Sequence, residues 1–142
     1  MNLTTYDEAR LLPLASDTDI ESRVTDLVGR ANCRQLWLMF LDGDDVQLPI
    51  LIPVDGLPTS PTANEATEVV TRVSELMTDI GAASLITVWE RYGPVTLTAQ
   101  DAVWARLLRA ACDDGGVKLR GMLLSHRTGV RWIAETDYRV DA

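Results

Sequence analysis

"ASLITVWERYGPVTLTAQDAVWARLLRAACDDGGVKLRGMLLS", residues 83–125, decides the fold class. It opens with a short apolar run, "ASLITVWE" (83–90), of strand length and β-branched content. It continues with "TAQDAVWARLLRAACDDGG" (98–116), which carries Val103, Trp104, Leu107, Leu108 and Ala111 at helical spacing. Thr98 and Asp101 there form the Ser/Thr-x-x-acid pattern of a capping box, and Gly115-Gly116 stops the helix. "VKLRGMLLS" (117–125) is a second strand. Two strands joined through a helix pair in parallel with a right-handed crossover.

Working outward, "HRTG" reads as a turn and "VRWIA" (130–134) as the partner of 117–125. Upstream, Ala66, Val69, Val70, Val73, Leu76, Met77 and Ile80 repeat at i, i+3, i+4, i+7 for nearly four turns, with Asn64 to cap the helix and Gly81 to end it. "GLPTSPTAN" (56–64) before it is a loop, long enough to move. "QLWLMFL" (35–41) is a buried strand, turning at Asp42-Gly43 into "VQLPILIPV" (46–54). Pro49 and Pro53 stand four apart, so both missing N–H groups fall on one side, and this is an edge strand. "SDTDIESRVTDLVGRA" places Ile20, Val24, Leu27 and Val28 on one helical face, capped by Thr18 and Glu21 and stopped at Gly29. The reading is an N-terminal arm (1–15) and one α/β domain (16–142), a three-layer α-β-α sandwich with a mixed sheet and the order (α)ββαβαββ.

At 142 residues the chain suits one compact domain. No run approaches the length of a membrane span, and the acidic N-terminus "MNLTTYDEARLLPLASD" lacks a basic leader region, so a cytoplasmic location is the default. The net charge of -8 disfavours nucleic acid. A nucleic-acid reading would need a concentrated face of Arg106, Arg109, Arg120, Arg127 and Arg131. The charge is uneven: residues 1–87 hold 14 acids and 5 bases, and residues 88–142 hold 7 acids and 8 bases. Twelve of the 13 basic residues are Arg, a bias associated with GC-rich bacterial genomes, actinobacterial ones among them. Cys33 and Cys112 have no metal or redox spacing and read as buried free thiols. No cofactor motif is present: "DDGGVKLRG" follows a helix and lacks phosphate-loop spacing, and "DGDD" (42–45) is too short for a calcium loop.

From "RQLWLMFLDGDD" to "VRWIA" (about 35–134), the element order resembles the JAB/MPN fold, in particular its RadC-type domain. "LWLMFLDGDDVQLPILIPVD" is similar to the family's opening strands and "GVKLRGMLLSHRTGVRWI" to its closing ones. "AASLITVWERYGPVTLTAQD" falls where the family runs from a strand into a metal loop. The resemblance implies two His and an Asp on zinc, a Ser between them and an upstream Glu as base; three protein ligands leave a fourth position for activated water. The matching positions here are Val88, Glu90, Thr98 and Asp101. Val88 cannot bind a metal, Glu90 and Asp101 alone lack a third ligand, and no Glu lies between Arg34 and Asn64.

The expectation is therefore a non-catalytic JAB/MPN-like binding or assembly module with no metal, a protein partner, and edge strands that allow a homodimer. The alternative is an enzyme whose carboxylate/Arg site at the strand ends joins Glu90, Arg91, Asp101 and the lone His126. Ser125 does not pair with His126, because neighbouring strand residues face opposite ways. Trp89 and Trp132 adjoin Arg91, Arg127 and Arg131, so any of these that are exposed form a binding surface.

Overall fold

The structure is a computed structural model that describes residues 12–139. Its elements are α1 (Asp17–Leu27), β1 (Gln35–Leu41), β2 (Gln47–Val54), α2 (Ala63–Ile80), β3 (Ser84–Glu90), α3 (Ala99–Gly115), β4 (Leu119–His126), β5 (Gly129–Trp132) and the single turn α4 (Glu135–Tyr138). The strands form one five-stranded mixed sheet in the order β2-β1-β3-β4-β5. β3 and β4, joined through α3, are parallel, and the other neighbours are antiparallel. All seven residues of the central β3 are buried, Ser84, Thr87 and Glu90 included, because the strand is covered on both faces.

Alternation along β3 separates two cores. Leu85 and Trp89 point to the side of α2 and α3, where they join Phe40, Val73 and Trp104. Ile86 and Val88 point to the other side, where Ile20 and Val24 of α1 join Met39, Leu41 and Leu123. Trp104 and Phe40 are fully buried, each contributing on the order of 2–3 kcal/mol by removal from water.

The helix starts differ in part from the local reading. α1 is capped by Ser16, whose side chain accepts from the Asp19 N–H, not by Thr18. α2 begins at Thr62 rather than Asn64: Thr62 Oγ1 accepts from Glu65 N, and Glu65 Oε1 accepts from Thr62 N. A competing cap two residues earlier wins because it satisfies both orphan donors at once. The Thr98–Asp101 box at α3 forms as its sequence indicates. In the β1–β2 turn the left-handed residue is Asp45 (φ 62°), not Gly43. The Asp42 carboxylate accepts from Asp44 N and Val46 N and so holds the turn open one residue further on.

β2 is an edge strand, with Pro49 and Pro53 both exposed. Of the expected arm, residues 1–11 lie outside the described residues; Pro13 bridges Val46, and Leu14 is buried against the α1 face. Cys112 is buried, whereas Cys33 is exposed, because it lies on the loop before β1 rather than within an element. The loop ahead of α2 is held from inside the protein. Arg34 donates to the carbonyls of Leu57 (2.6 Å) and Pro58 (2.9 Å), and Trp104 Nε1 donates to Pro58 O (2.8 Å).

Candidate functional site

The ends of β3 and β4 bring Arg91, Asp101 and His126 towards one region, but Glu90 leaves it. Glu90 follows Trp89 on a strand, so it faces the α1 side while Trp89 faces α3. The four residues of the alternative enzyme site therefore do not share a pocket.

Asp101 sits at the start of α3 with both oxygens occupied. Oδ1 accepts from Trp89 Nε1 at 2.8 Å. Oδ2 accepts from Arg91 Nε (2.9 Å), Arg91 Nη2 (2.8 Å) and Thr98 N (2.9 Å). Burial pushes its carboxyl pKa up, but the bonds from Arg91, Thr98 and Trp89 outweigh that and hold it below the usual range. Arg91 spends its other donors on the loop itself, to Pro94 O (2.6 Å) and Thr96 O (2.9 Å). The void beside Asp101 is about 10 Å³, near the least a single water needs. Four donors hold this buried carboxylate, three of them on Oδ2, and the space beside it does not admit a substrate.

Glu90 is a second saturated carboxylate, only 2 % exposed. Oε1 accepts from Gln35 Nε2 (2.7 Å) and Trp37 Nε1 (2.9 Å), and Oε2 from the backbone N–H groups of Asn32 (2.7 Å) and Cys33 (3.2 Å). Burial raises its pKa, and the donors from Asn32, Gln35, Trp37 and Cys33 bring it below the ordinary value. It ties the loop after α1 to the end of β3.

His126 is buried at the end of β4, and its Nδ1 lies 3.3 Å from Thr128 N and 3.2 Å from Thr128 Oγ1, a turn-closing arrangement. Burial first, then the charges of Arg91 and Arg131, lower its pKa and favour the neutral ring. Ser125 points away and donates to Gly29 O at 2.6 Å. Among the described residues, no group of three or more His, Cys, Asp and Glu is placed to hold a metal ion. No helix among them is long and apolar enough to cross a membrane.

The residues singled out for a binding surface separate into two sets. Trp89 and Arg91 are interior groups and offer no surface, because the Asp101 network consumes them. Trp132 is half-buried, donates to Asp17 O and carries the Arg120 guanidinium over its ring. Arg131 is bound to Val95 O (2.6 Å), Trp132 O (2.8 Å) and Asp137 (3.0 Å). Arg127 is exposed. The five arginines of a nucleic-acid face are dispersed: Arg106 and Arg109 are on α3, while Arg120 pairs with Asp17 of α1, in the layer across the sheet.

Two features were not singled out from the sequence. Tyr92 (77 % exposed) and Val95 (48 %) project from the loop that Arg91 holds, beside Arg127, whose N–H donates to Gly93 O. An apolar groove of about 440 Å³ also runs between β2 and α2, lined chiefly by Leu38, Ile52, Val54, Leu57, Val69 and Leu76. Its signal was present: the apolar stripe of α2 is wider than the core consumes, burying Ala66, Val70, Val73 and Met77 while Val69 and Leu76 stay half-exposed. No protein-family model and no curated protein sequence matches the chain.

Proposed function

We propose that this chain is a non-catalytic binding or assembly module of JAB/MPN-like type whose partner is a protein. The observation that carries the reading is the state of Asp101: its buried carboxylate accepts four hydrogen bonds, from Trp89, twice from Arg91 and from Thr98, and so fixes both ends of the 92–98 loop. A carboxylate so engaged is a structural strut, and the rigid loop it makes presents Tyr92 and Val95 outward. Exposed aromatic and apolar side chains on a loop braced from inside bind at little ordering cost. The element order αββαβαββ supports the JAB/MPN part of the proposal, and Val88 at a position where the resemblance expects a ligand supports the loss of zinc chemistry.

Calorimetric titration of the purified protein with zinc tests this reading. The expected result is no stoichiometric heat, and a Tyr92→Ser protein as stable as the parent, since Tyr92 packs on nothing it would leave unfilled. One zinc per chain, abolished by Asp101→Asn, would overturn the reading and direct attention to hydrolysis.

A further inference from the structure

We infer that the groove between β2 and α2 is a docking site for a basic amphipathic helix of a partner protein. This rests on the binding-module reading for its meaning, but on separate residues for its evidence. The groove's volume of about 440 Å³ falls within the range of pre-formed ligand sites. Its walls are aliphatic, with Ile52 and Val54 from β2, Val69 and Leu76 from α2, and Leu57 from the intervening loop. That loop is fixed by Arg34 and Trp104 through the carbonyls of Leu57 and Pro58, so the protein's own contacts shape this wall of the groove.

The charge on its rim selects the occupant. α2 holds Glu65, Glu68, Glu75 and Asp79 against Arg72, a net of -3 along one helix. Glu65, Glu68 and Arg72 stand on the groove itself, a net of -1 there, with the acids at the end where α2 begins. A second copy would bring another acidic α2 against the first, so like charges oppose self-association here. A partner with Lys or Arg flanking its apolar anchors is steered in by the same field.

The backbone beside the groove selects the mode. An extended peptide binds a sheet edge through main-chain hydrogen bonds. On the free side of β2, Pro49 and Pro53 supply no N–H, and Leu51 alone remains between them to donate. Recognition then falls to side chains. A helix, which satisfies its own backbone and offers anchors at i, i+3, i+4 and i+7, meets that requirement.

The test uses the full chain and fluorescein-labelled peptides of about 18 residues, long enough to hold a helix when bound. One is built from Leu and Lys with leucines on one helical face; its counterpart has Glu for every Lys. Anisotropy at near-physiological salt is expected to show binding of the basic peptide and none of the acidic one. Val69→Glu should weaken binding at least tenfold although it adds negative charge, and Leu57→Asp, outside any helix, should do the same; circular dichroism confirms that each variant is folded. Equal or tighter binding by both variants would mean surface attraction without a groove and would overturn the proposal. So would binding of a fluorescent fatty acid, blocked by Val69→Glu, in the absence of peptide binding, or a dimer in sedimentation that Val69→Glu dissociates. Failure of the peptides leaves the zinc titration unaffected, and zinc binding leaves the groove result unaffected, so the two readings fail separately.

Discussion

Glu90 accepts four hydrogen bonds, all from neutral donors, in a site almost closed to water. That arrangement stabilises only the charged carboxylate. Glu90→Gln preserves the shape but turns one acceptor oxygen into an NH₂ that faces donors. The expected loss is about 3 kcal/mol of unfolding free energy, since a buried donor left without an acceptor carries its full desolvation penalty. Urea titration measures it, and a change under about 0.5 kcal/mol, the range of ordinary surface substitutions, would show that the four contacts are not formed in solution. In the sequence Glu90 and Asp101 flank one loop, which groups them in a single candidate site. The period of two along β3 separates Glu90 from Trp89, but it could not reveal that Asp101 lies on the Trp89 side or that Asn32 and Cys33 arrive at Glu90 from a distant loop.

At the scale of the element, α3 starts on two interactions of unequal weight. Thr98 Oγ1 accepts from Asp101 N at 3.2 Å, an ordinary cap, and Thr98→Ala should cost about 1 kcal/mol. Asp101→Ala should cost more, about 3–5 kcal/mol, because it also strands the buried Arg91 guanidinium. It leaves Trp89 Nε1 without its acceptor as well. Thermal or urea unfolding of the two variants side by side checks this. Equal losses would mean that the carboxylate does no more than cap the helix. The capping box itself was legible in the four residues 98–101. The second duty of Asp101 was not, since it depends on Arg91, ten residues back, folding over the loop to meet it.

For the whole molecule, the shifted groups predict how stability varies with pH. Glu90, Asp101 and Asp137 all have lowered pKa values, in each case because hydrogen bonds outweigh burial. A lowered carboxyl means that the unfolded chain binds protons first. Their contribution is complete above the unfolded values near 4 and is lost as pH falls through the lower folded ones. His126, lowered by burial and by Arg91 and Arg131, adds a decline that begins as pH drops through about 6.5. On the alkaline side, burial, aided by Asp113, raises the Cys112 thiol from its ordinary value of 9.0 to about 11 despite Arg109. Between those values the folded state holds the proton that the unfolded state gives up, so stability falls as pH rises. Urea midpoints from pH 3 to 11 should trace this dome. Asp101→Asn should flatten the acid limb and Cys112→Ala the alkaline limb; an acid limb unchanged in Asp101→Asn would show that Asp101 titrates alike in both states.

What the chain's local pattern determined by itself was the mixed α/β class, the element order, the edge character of β2 and the cap at Thr98–Asp101. These follow from periodicity, proline's missing N–H and contacts within four residues, all of which act between neighbours along the chain. Tertiary structure decided the rest. It put Glu90 and Asp101 on opposite faces, buried Trp89 and Arg91, braced the loop at 57–58 through Arg34 and Trp104, and left the flank of α2 uncovered beside β2. Those outcomes depend on partners ten to nearly sixty residues apart, and a side chain's exposure is settled only when such partners meet. A carboxylate next to a loop has the same local sequence whether its oxygens are free for chemistry or, as here, consumed in holding the loop.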